Sequence, residues 1–274
     1  MSFTSCYSLK CLTNLHAGSG DSGMGIIDKM IQRDSITELP VIYASSLKGA
    51  FREYFQEGPQ QTILKPISET IFGTKARSDG NEGISTKGTH VFHEAQMLGM
   101  PLGCNKAPFY MVTSKNNLIT WLKKAKMFNI TIDESLIIEI NSLPSGETIS
   151  PKILGQPIQD LFIGEFENVS NILGDFNKLW QLLGSNILLL NHNDFKEQCS
   201  DYNLPVISRN NLENGESKNL WYEQIVPHES IFVFYTLALS DATEDRFYNG
   251  INSKVIQIGA NSSLGYGYCE ITKL

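Results

Sequence analysis

The chain has 274 residues, 41% of them hydrophobic and 19% charged, with a formal net charge of -7. That is enough apolar material for one large folded unit and excludes a disordered chain. The acidic balance argues against a free, generally basic nucleic-acid-binding module, although backbone N–H groups at helix and loop ends can hold phosphates without cationic side chains.

Residues 3–15 alternate loosely through Phe3, Cys6, Tyr7, Leu9, Cys11 and Leu12, which predicts a first strand. The N-terminal run lacks the apolar core of a signal peptide, and no stretch reaches the length of a membrane span, so a soluble, cytoplasmic protein is expected. The five cysteines, Cys6, Cys11, Cys104, Cys199 and Cys269, show no C-x-x-C spacing. They read as reduced, buried thiols.

A glycine-rich loop is expected from His16 to Asp28. It lacks the Gly-Lys-Ser/Thr of a nucleotide-binding P-loop. Asp28 closes this loop, where a carboxylate can hold a divalent metal or help position a 2′-hydroxyl for attack on its own phosphodiester; the plain alternative is a solvated aspartate. His16 opens the loop and is able to act as an acid or base near neutral pH, or simply to end a strand.

Pro40–Tyr43 predicts a short strand and 44–55 a helix, with Ser45 or Ser46 as its cap and Gly58-Pro59 as its stop. Lys48 and Arg52 lie one turn apart on that helix and are expected to project together as a local basic pocket beside its N-terminus. Residues 74–90 are polar and expected to be loop. Strands are predicted at Val91–Met97 and Phe109–Thr113, a helix at 116–128, extended chain at 153–166 and a helix at 168–183.

Residues 196–227 read as a projecting hairpin, with β-like pieces at 204–209 and 220–225 around a polar turn containing Gly215. The segment 230–239 is apolar on both faces, as a central strand is. A strand at 255–259, the glycine-containing loop Gly259–Gly267 and a last strand through Cys269 and Ile271 close the chain. Mixed elements with β structure at both ends indicate an α+β fold.

Several segments together are similar to the RAMP superfamily of CRISPR-associated RNA-binding proteins. They are the His16 to Asp28 loop with the following Ile31-Gln-Arg-Asp34, the run from Pro40 to Arg52, and Gly259 to Gly267. Glu94–Pro101 followed by Phe109–Thr113, and Leu220-Trp-Tyr-Glu223, resemble in particular the backbone subunit of type III-B (Cmr) effector complexes. The resemblance implies a single domain over 1–274: an RRM-like (ferredoxin-like) palm with inserted segments and a protruding thumb β-hairpin at 196–227. It implies a subunit that binds guide RNA (crRNA), packs head-to-tail with further copies of itself and with other subunits of the complex, and cuts complementary target RNA at regular intervals.

The same resemblance places the cut beside Asp28 with a divalent metal ion (Mg or Mn), with His16 and Glu223 as further catalytic candidates. Ser45, Ser46, Lys48, Arg52, Arg209, Gly259, Ser262, Ser263 and Gly265 become the expected RNA contacts. This chain departs from the pattern in a longer His16–Asp28 loop and in Gln224, which stands where an acidic residue is common. Three alternatives stay open: a non-cutting backbone subunit, a metal-independent guide-processing ribonuclease using His16, and the related type III-A backbone.

Overall fold

The computed structural model describes residues 3–21, 25–74, 86–146, 149–167 and 169–274. The chain opens with strands β1 (Phe3–Cys11), β2 (Gly18–Asp21), β3 (Lys29–Ile31) and β4 (Val41–Ile42), then helices α1 (Ala44–Glu57) and α2 (Gln61–Phe72). Strands β5 (His90–Phe92), β6 (Ala95–Gly103) and β7 (Phe109–Ser114) lead into α3 (Lys115–Met127) and α4 (Glu134–Ser142). The middle of the chain continues with β8 (Lys152–Leu154), β9 (Ser170–Ile172), α5 (Asn177–Leu183), β10 (Ile187–Leu190) and α6 (His192–Gln198). Last come β11 (Val206–Glu213), β12 (Glu216–Gln224), β13 (Ile231–Ala238), α7 (Asp241–Ile251), β14 (Lys254–Gln257) and β15 (Tyr268–Lys273).

The fold is α+β, as its sequence indicates. Strand β13 is central because both of its faces are apolar. Phe232 and Phe234 join a core with Tyr7, Phe51, Phe55, Phe92 and Phe247. Ile231, Val233 and Tyr235 enter a second core with Leu118, Trp121 and Leu179. This period of two puts α1, α2 and α7 on one side of the sheet and α3, α4 and α5 on the other. Burying each of these large side chains contributes about 1.5–3 kcal/mol.

Among the described residues the main sheet runs β14-β15-β1-β13-β6-β7-β10-β8-β9, with β4 also pairing β6 and β5 pairing β13. A second, four-stranded sheet, β11-β12-β3-β2, stands beside it. The hairpin β11–β12 turns on Asn214 and Gly215, both with positive φ, as a two-residue turn matched to strand twist requires. Among the described residues no helix is long and apolar enough to cross a membrane.

Several expectations need correction. The His16–Asp28 segment is not simply loop: Gly18–Asp21 pairs antiparallel with β3, and a register shift between Gly18 and Asp21 is accommodated by Gly20 at φ 105°. The helix expected at 168–183 begins only at Asn177, because Ser170–Ile172 pairs with β8 instead. The extended chain at 153–166 forms a strand only through Leu154, with an isolated bridge at Ile163. The hairpin strands are longer and their turn tighter than read, and residues 192–198 are helix α6. Most of the polar segment 74–90 lies outside the described residues.

Candidate functional site

Asp28, exposed, immediately precedes β3 and is held by the main chain of the hairpin. Its N–H donates to the Tyr222 carbonyl at 3.1 Å, and its Oδ2 accepts from the Tyr222 N–H at 2.8 Å. The next residue, Lys29, pairs in register with Glu223. A sheet between a strand near the N-terminus and one from the hairpin therefore sets where this carboxylate sits.

Glu223 is buried, its side chain 2% exposed, and it gathers donors from three parts of the chain. Arg209 Nε donates to Oε2 at 2.6 Å, Asn261 Nδ2 to Oε2 at 2.9 Å, and Trp221 Nε1 to Oε1 at 2.8 Å. Lys29 Nζ stands 3.6 Å from Oε1 and lies over the Trp221 ring. Burial works to raise the Glu223 pKa, but the Trp221 hydrogen bond and the Arg209 charge and hydrogen bond outweigh it and hold the group below its ordinary value. With so many donors on it, Glu223 serves as the anion that organises the site. Arg209 also stacks on Tyr266 of the closing loop, its Cζ 4.8 Å from the ring centroid.

His16 is buried, 3% exposed, with Nδ1 2.7 Å from the Gln224 carbonyl. A carbonyl only accepts, so Nδ1 carries the proton and Nε2 is the nitrogen turned toward Gly18. Gln224 itself is fully buried, its amide shared between Asp201 and the Ile31 N–H. At this position an amide satisfies a donor and an acceptor at once.

The start of α1 lies beside this cluster, joined to it through Gln32. The Gln32 Oε1 accepts from the Tyr43 N–H at 2.6 Å, and its Nε2 donates to Gly18 O and to Ser46 Oγ, both at 2.9 Å. The expected serine cap is absent. Tyr43 is the N-cap, without a side-chain cap, because the helix begins at Ala44 and both Ser45 and Ser46 fall inside its first turn. The expected basic pocket is corrected in the same way. Arg52 Nη2 donates to the Phe72 and Gly73 carbonyls, closing the C-terminus of α2, so it does not join Lys48 at the N-terminus of α1.

The closing loop approaches the chain's own backbone. Gly259, at φ 85°, leaves no room for a Cβ beside the His16 carbonyl, which accepts from the Ala260 N–H at 2.9 Å. Ser262 and Ser263 form a short exposed 3-10 turn with Leu264, ended by Gly265 at φ 82°. Asp28, Glu223, His16 and Arg209 thus meet at the base of the hairpin with Asn261 of the closing loop. Ser46 reaches them through Gln32, and Arg52 does not. The sequence reading missed Tyr222, Trp221, Lys29, Asn261 and Gln32 as site residues; the charge run beginning at Lys29 is the visible trace of one of them.

Among the described residues no group of three or more His, Cys, Asp or Glu side chains converges on a point that would cage a metal. The donors present fit a divalent ion only in the manner of hydrated magnesium, held by one carboxylate and by phosphate oxygens of a bound nucleic acid.

The CRISPR system Cmr endoribonuclease Cmr4 of Pyrococcus furiosus is 25% identical to this chain over 288 residues, spanning 96% of it and 93% of the relative. A chain of the type III-B Cmr-beta assembly bound to cognate target RNA matches in structure with a TM-score of 0.80 at 20% identity, covering 99% of this chain and 97% of its own. Oligomeric Cmr4 from Pyrococcus furiosus matches with a TM-score of 0.72 at 20% identity, over 99% and 98% of the two chains. The RAMP superfamily model matches residues 8–270, nearly the full length, and the protein belongs to the RAMP superfamily.

Proposed function

We propose that this chain is the guide-RNA-binding backbone subunit of a type III-B effector complex and cuts complementary target RNA at Asp28. In this reading the α+β body is the RRM-like palm, β11–β12 is the thumb, and copies of the chain stack along the guide. The observation that carries the assignment is the Asp28 carboxylate fixed by Tyr222 at the hairpin base, within a cluster whose cations, Lys29 and Arg209, gather on Glu223. The name of the Pyrococcus relative, an endoribonuclease, and the fold shared with a chain of a target-bound assembly support it.

A duplex presents its backbone but buries its reactive geometry, so a nucleotide splayed by the hairpin is what brings a 2′-hydroxyl into line with its phosphate. Asp28 takes the proton of that hydroxyl as the 2′-oxygen bonds to phosphorus. The bond to the 5′-oxygen breaks, and that oxygen takes a proton from water. Lys29 and Arg209 raise the positive potential around the phosphate. Asp28, with the RNA, would hold a divalent ion, which would supply charge neutralisation there. Lys48, the Ser45–Ser46 turn and the exposed loop of Ser262 and Ser263 are the proposed guide contacts, while Gly259 shapes the closing loop.

His16 fits acid–base chemistry poorly because it is buried, bonded to Gln224 and turned toward Gly18. The test is target cleavage by the reconstituted complex, comparing wild type with Asp28→Ala, each with magnesium and with chelator. Regularly spaced cuts that vanish with the substitution while target binding persists are expected. Cutting unchanged by Asp28→Ala overturns the assignment, and no cutting by wild type leaves a non-cutting backbone.

A further inference from the structure

Asp28 leads directly into strand β3, whose ladder to β12 comprises one register pair, Glu223 with Lys29, beside the Asp28–Tyr222 hydrogen bonds. The other edge of β3 pairs with β2, Gly18 with Ile31 and Asp21 with Lys29, so β2 and β3 form one ribbon that meets β12 at a single register pair. Ile31 lies three residues along, roughly 10 Å at strand rise, so a pivot of about 6° displaces Asp28 by about 1 Å. Misplacement of that size costs on the order of 100-fold in rate. At the Ile31 end the link from the ribbon to β12 is made by a side chain, that of Gln224.

That link is braced by Asp201, in the turn after α6. Its Oδ1 accepts from Gln224 Nε2 at 3.1 Å and pairs with Arg33 Nη2 at 2.7 Å. Arg33 Nη1 donates to the Cys199 and Glu38 carbonyls, both at 2.7 Å, so the guanidinium is braced independently. Gln224 Oε1 accepts from the Ile31 N–H at 3.4 Å, closing a ring from β12 to β3, Arg33 and Asp201. Gln224 is fully buried, whereas the Asp201 side chain is 46% exposed, so Asp201 is able to change without opening a core cavity.

We infer that Asp201 is a positioning residue for target cleavage: through Gln224 and Arg33 it braces the β2–β3 ribbon against β12 and thereby the place of Asp28 against the RNA. The inference rests on the assignment of cleavage to Asp28. Its chemistry is a hydrogen-bond and ion-pair brace, and Asp201 itself touches no reacting atom.

The experiment uses the reconstituted complex with guide, measuring single-turnover cleavage and target affinity separately for Asp201→Ala, Asp201→Asn and Gln224→Met. Asp201→Ala is expected to slow cleavage about 10- to 100-fold with target affinity unchanged. Asp201→Asn keeps an acceptor for the Gln224 amide and restores part of the rate. Gln224→Met cuts the brace from the other side and matches Asp201→Ala, and the double variant is no slower than either alone. Wild-type cutting by Asp201→Ala, while Asp28→Ala abolishes it, overturns this inference and leaves the Asp28 assignment standing. Cutting indifferent to Asp28→Ala removes the basis of both. A parallel fall in target affinity, or no recovery with Asp201→Asn, shows a merely structural residue and also overturns the inference.

Discussion

Asp28 and Tyr222, 194 positions apart, exchange two hydrogen bonds: the aspartate N–H to the tyrosine carbonyl, and the tyrosine N–H to the aspartate carboxylate. The carboxylate is thereby fixed by main chain, which a change of the tyrosine side chain leaves in place. Its reach is what matters. Asp28→Glu keeps the charge but adds a methylene, carrying the carboxylate about 1 Å past the Tyr222 N–H. Cleavage by the assembled complex is expected to fall on the order of 100-fold with target binding retained. A gel assay of single-turnover cleavage checks this, and near-wild-type cutting by Asp28→Glu removes positioning from the argument.

Glu223 is the anion on which Arg209, Lys29, Trp221 and Asn261 converge. Glu223→Ala leaves Arg209, whose side chain is 13% exposed, without its partner. Breaking a buried pair from one side costs about 3–5 kcal/mol, and the exposure of Lys29 places this case at the lower end. For a chain of this size the expected loss is on the order of 10 °C in melting temperature. Calorimetry of the isolated subunit decides it; a shift under 2 °C on this scale would mean the cluster rearranges freely.

The acid limb of stability has a definite origin at Glu244, in α7. Glu244 is 3% exposed; burial pushes its pKa up, but bonds with His90, Ser5 and Tyr7 outweigh that and leave it lowered. Tyr7 donates to Oε1 at 2.6 Å, and His90 Nε2 lies 3.4 Å from Oε2. A carboxylate lowered in the fold binds its proton more weakly there than in the unfolded chain. Its contribution is therefore complete above the ordinary carboxylate value, about 4.3, and is lost as pH falls through the folded value. Melting temperatures from pH 6 to pH 3 should fall less steeply in Glu244→Gln than in wild type. Parallel acid limbs would assign the pH dependence elsewhere.

How much of this was legible in the sequence depends on the kind of signal. Strand β13 showed itself as a continuous apolar run of strand length and helix α1 by apolar residues repeating at 3.6, and both bury those residues. Helix α2 passed unread because Pro66 interrupts it and Gly58-Pro59 masks its start, while α4 and α7 are short. Asp28 and His16 stand out at the two ends of a glycine-rich loop, but their assignment to the catalytic site, and Glu223 altogether, came from the resemblance. Their convergence depends on strand pairing between distant segments, and the backbone groups of Tyr222 leave no mark in the amino-acid string. Arg52 shows the opposite failure. Helical spacing correctly put it one turn from Lys48, but a charge on a helix goes to whatever acceptor is near, here the end of α2.

Gly250, inside α7, tests the packing of the first core. In an open helix, replacing glycine by alanine gains roughly 0.5–1 kcal/mol. Here the new Cβ would stand 2.7 Å from Phe55 Cζ and 3.1 Å from Leu64 Cδ2. Phe55 is fully buried among Phe72 and Phe247, so it has little room to withdraw. Overpacking of this kind costs about 1–3 kcal/mol, so the clash wins. Gly250→Ala is expected to lower the urea midpoint without altering the slope, and a raised midpoint would show that the ring yields.

The five cysteines separate cleanly by burial. Cys6, Cys11, Cys199 and Cys269 are 0% exposed, and Cys104 is half-buried near the surface. Burial pushes the thiols of Cys6 and Cys199 up to about 12, and that of Cys11 is also raised, first by its hydrogen bond with Cys269 and then by burial. Thiolate is the reactive form, so at neutral pH these groups are doubly protected, by protonation and by access. An aromatic disulfide reagent should titrate one thiol rapidly in the native subunit and the other four only on unfolding. Replacing Cys104 by serine should remove the rapid phase. A second fast-reacting thiol in that variant would mean that the core around β1 and β15 opens far more readily than its packing implies.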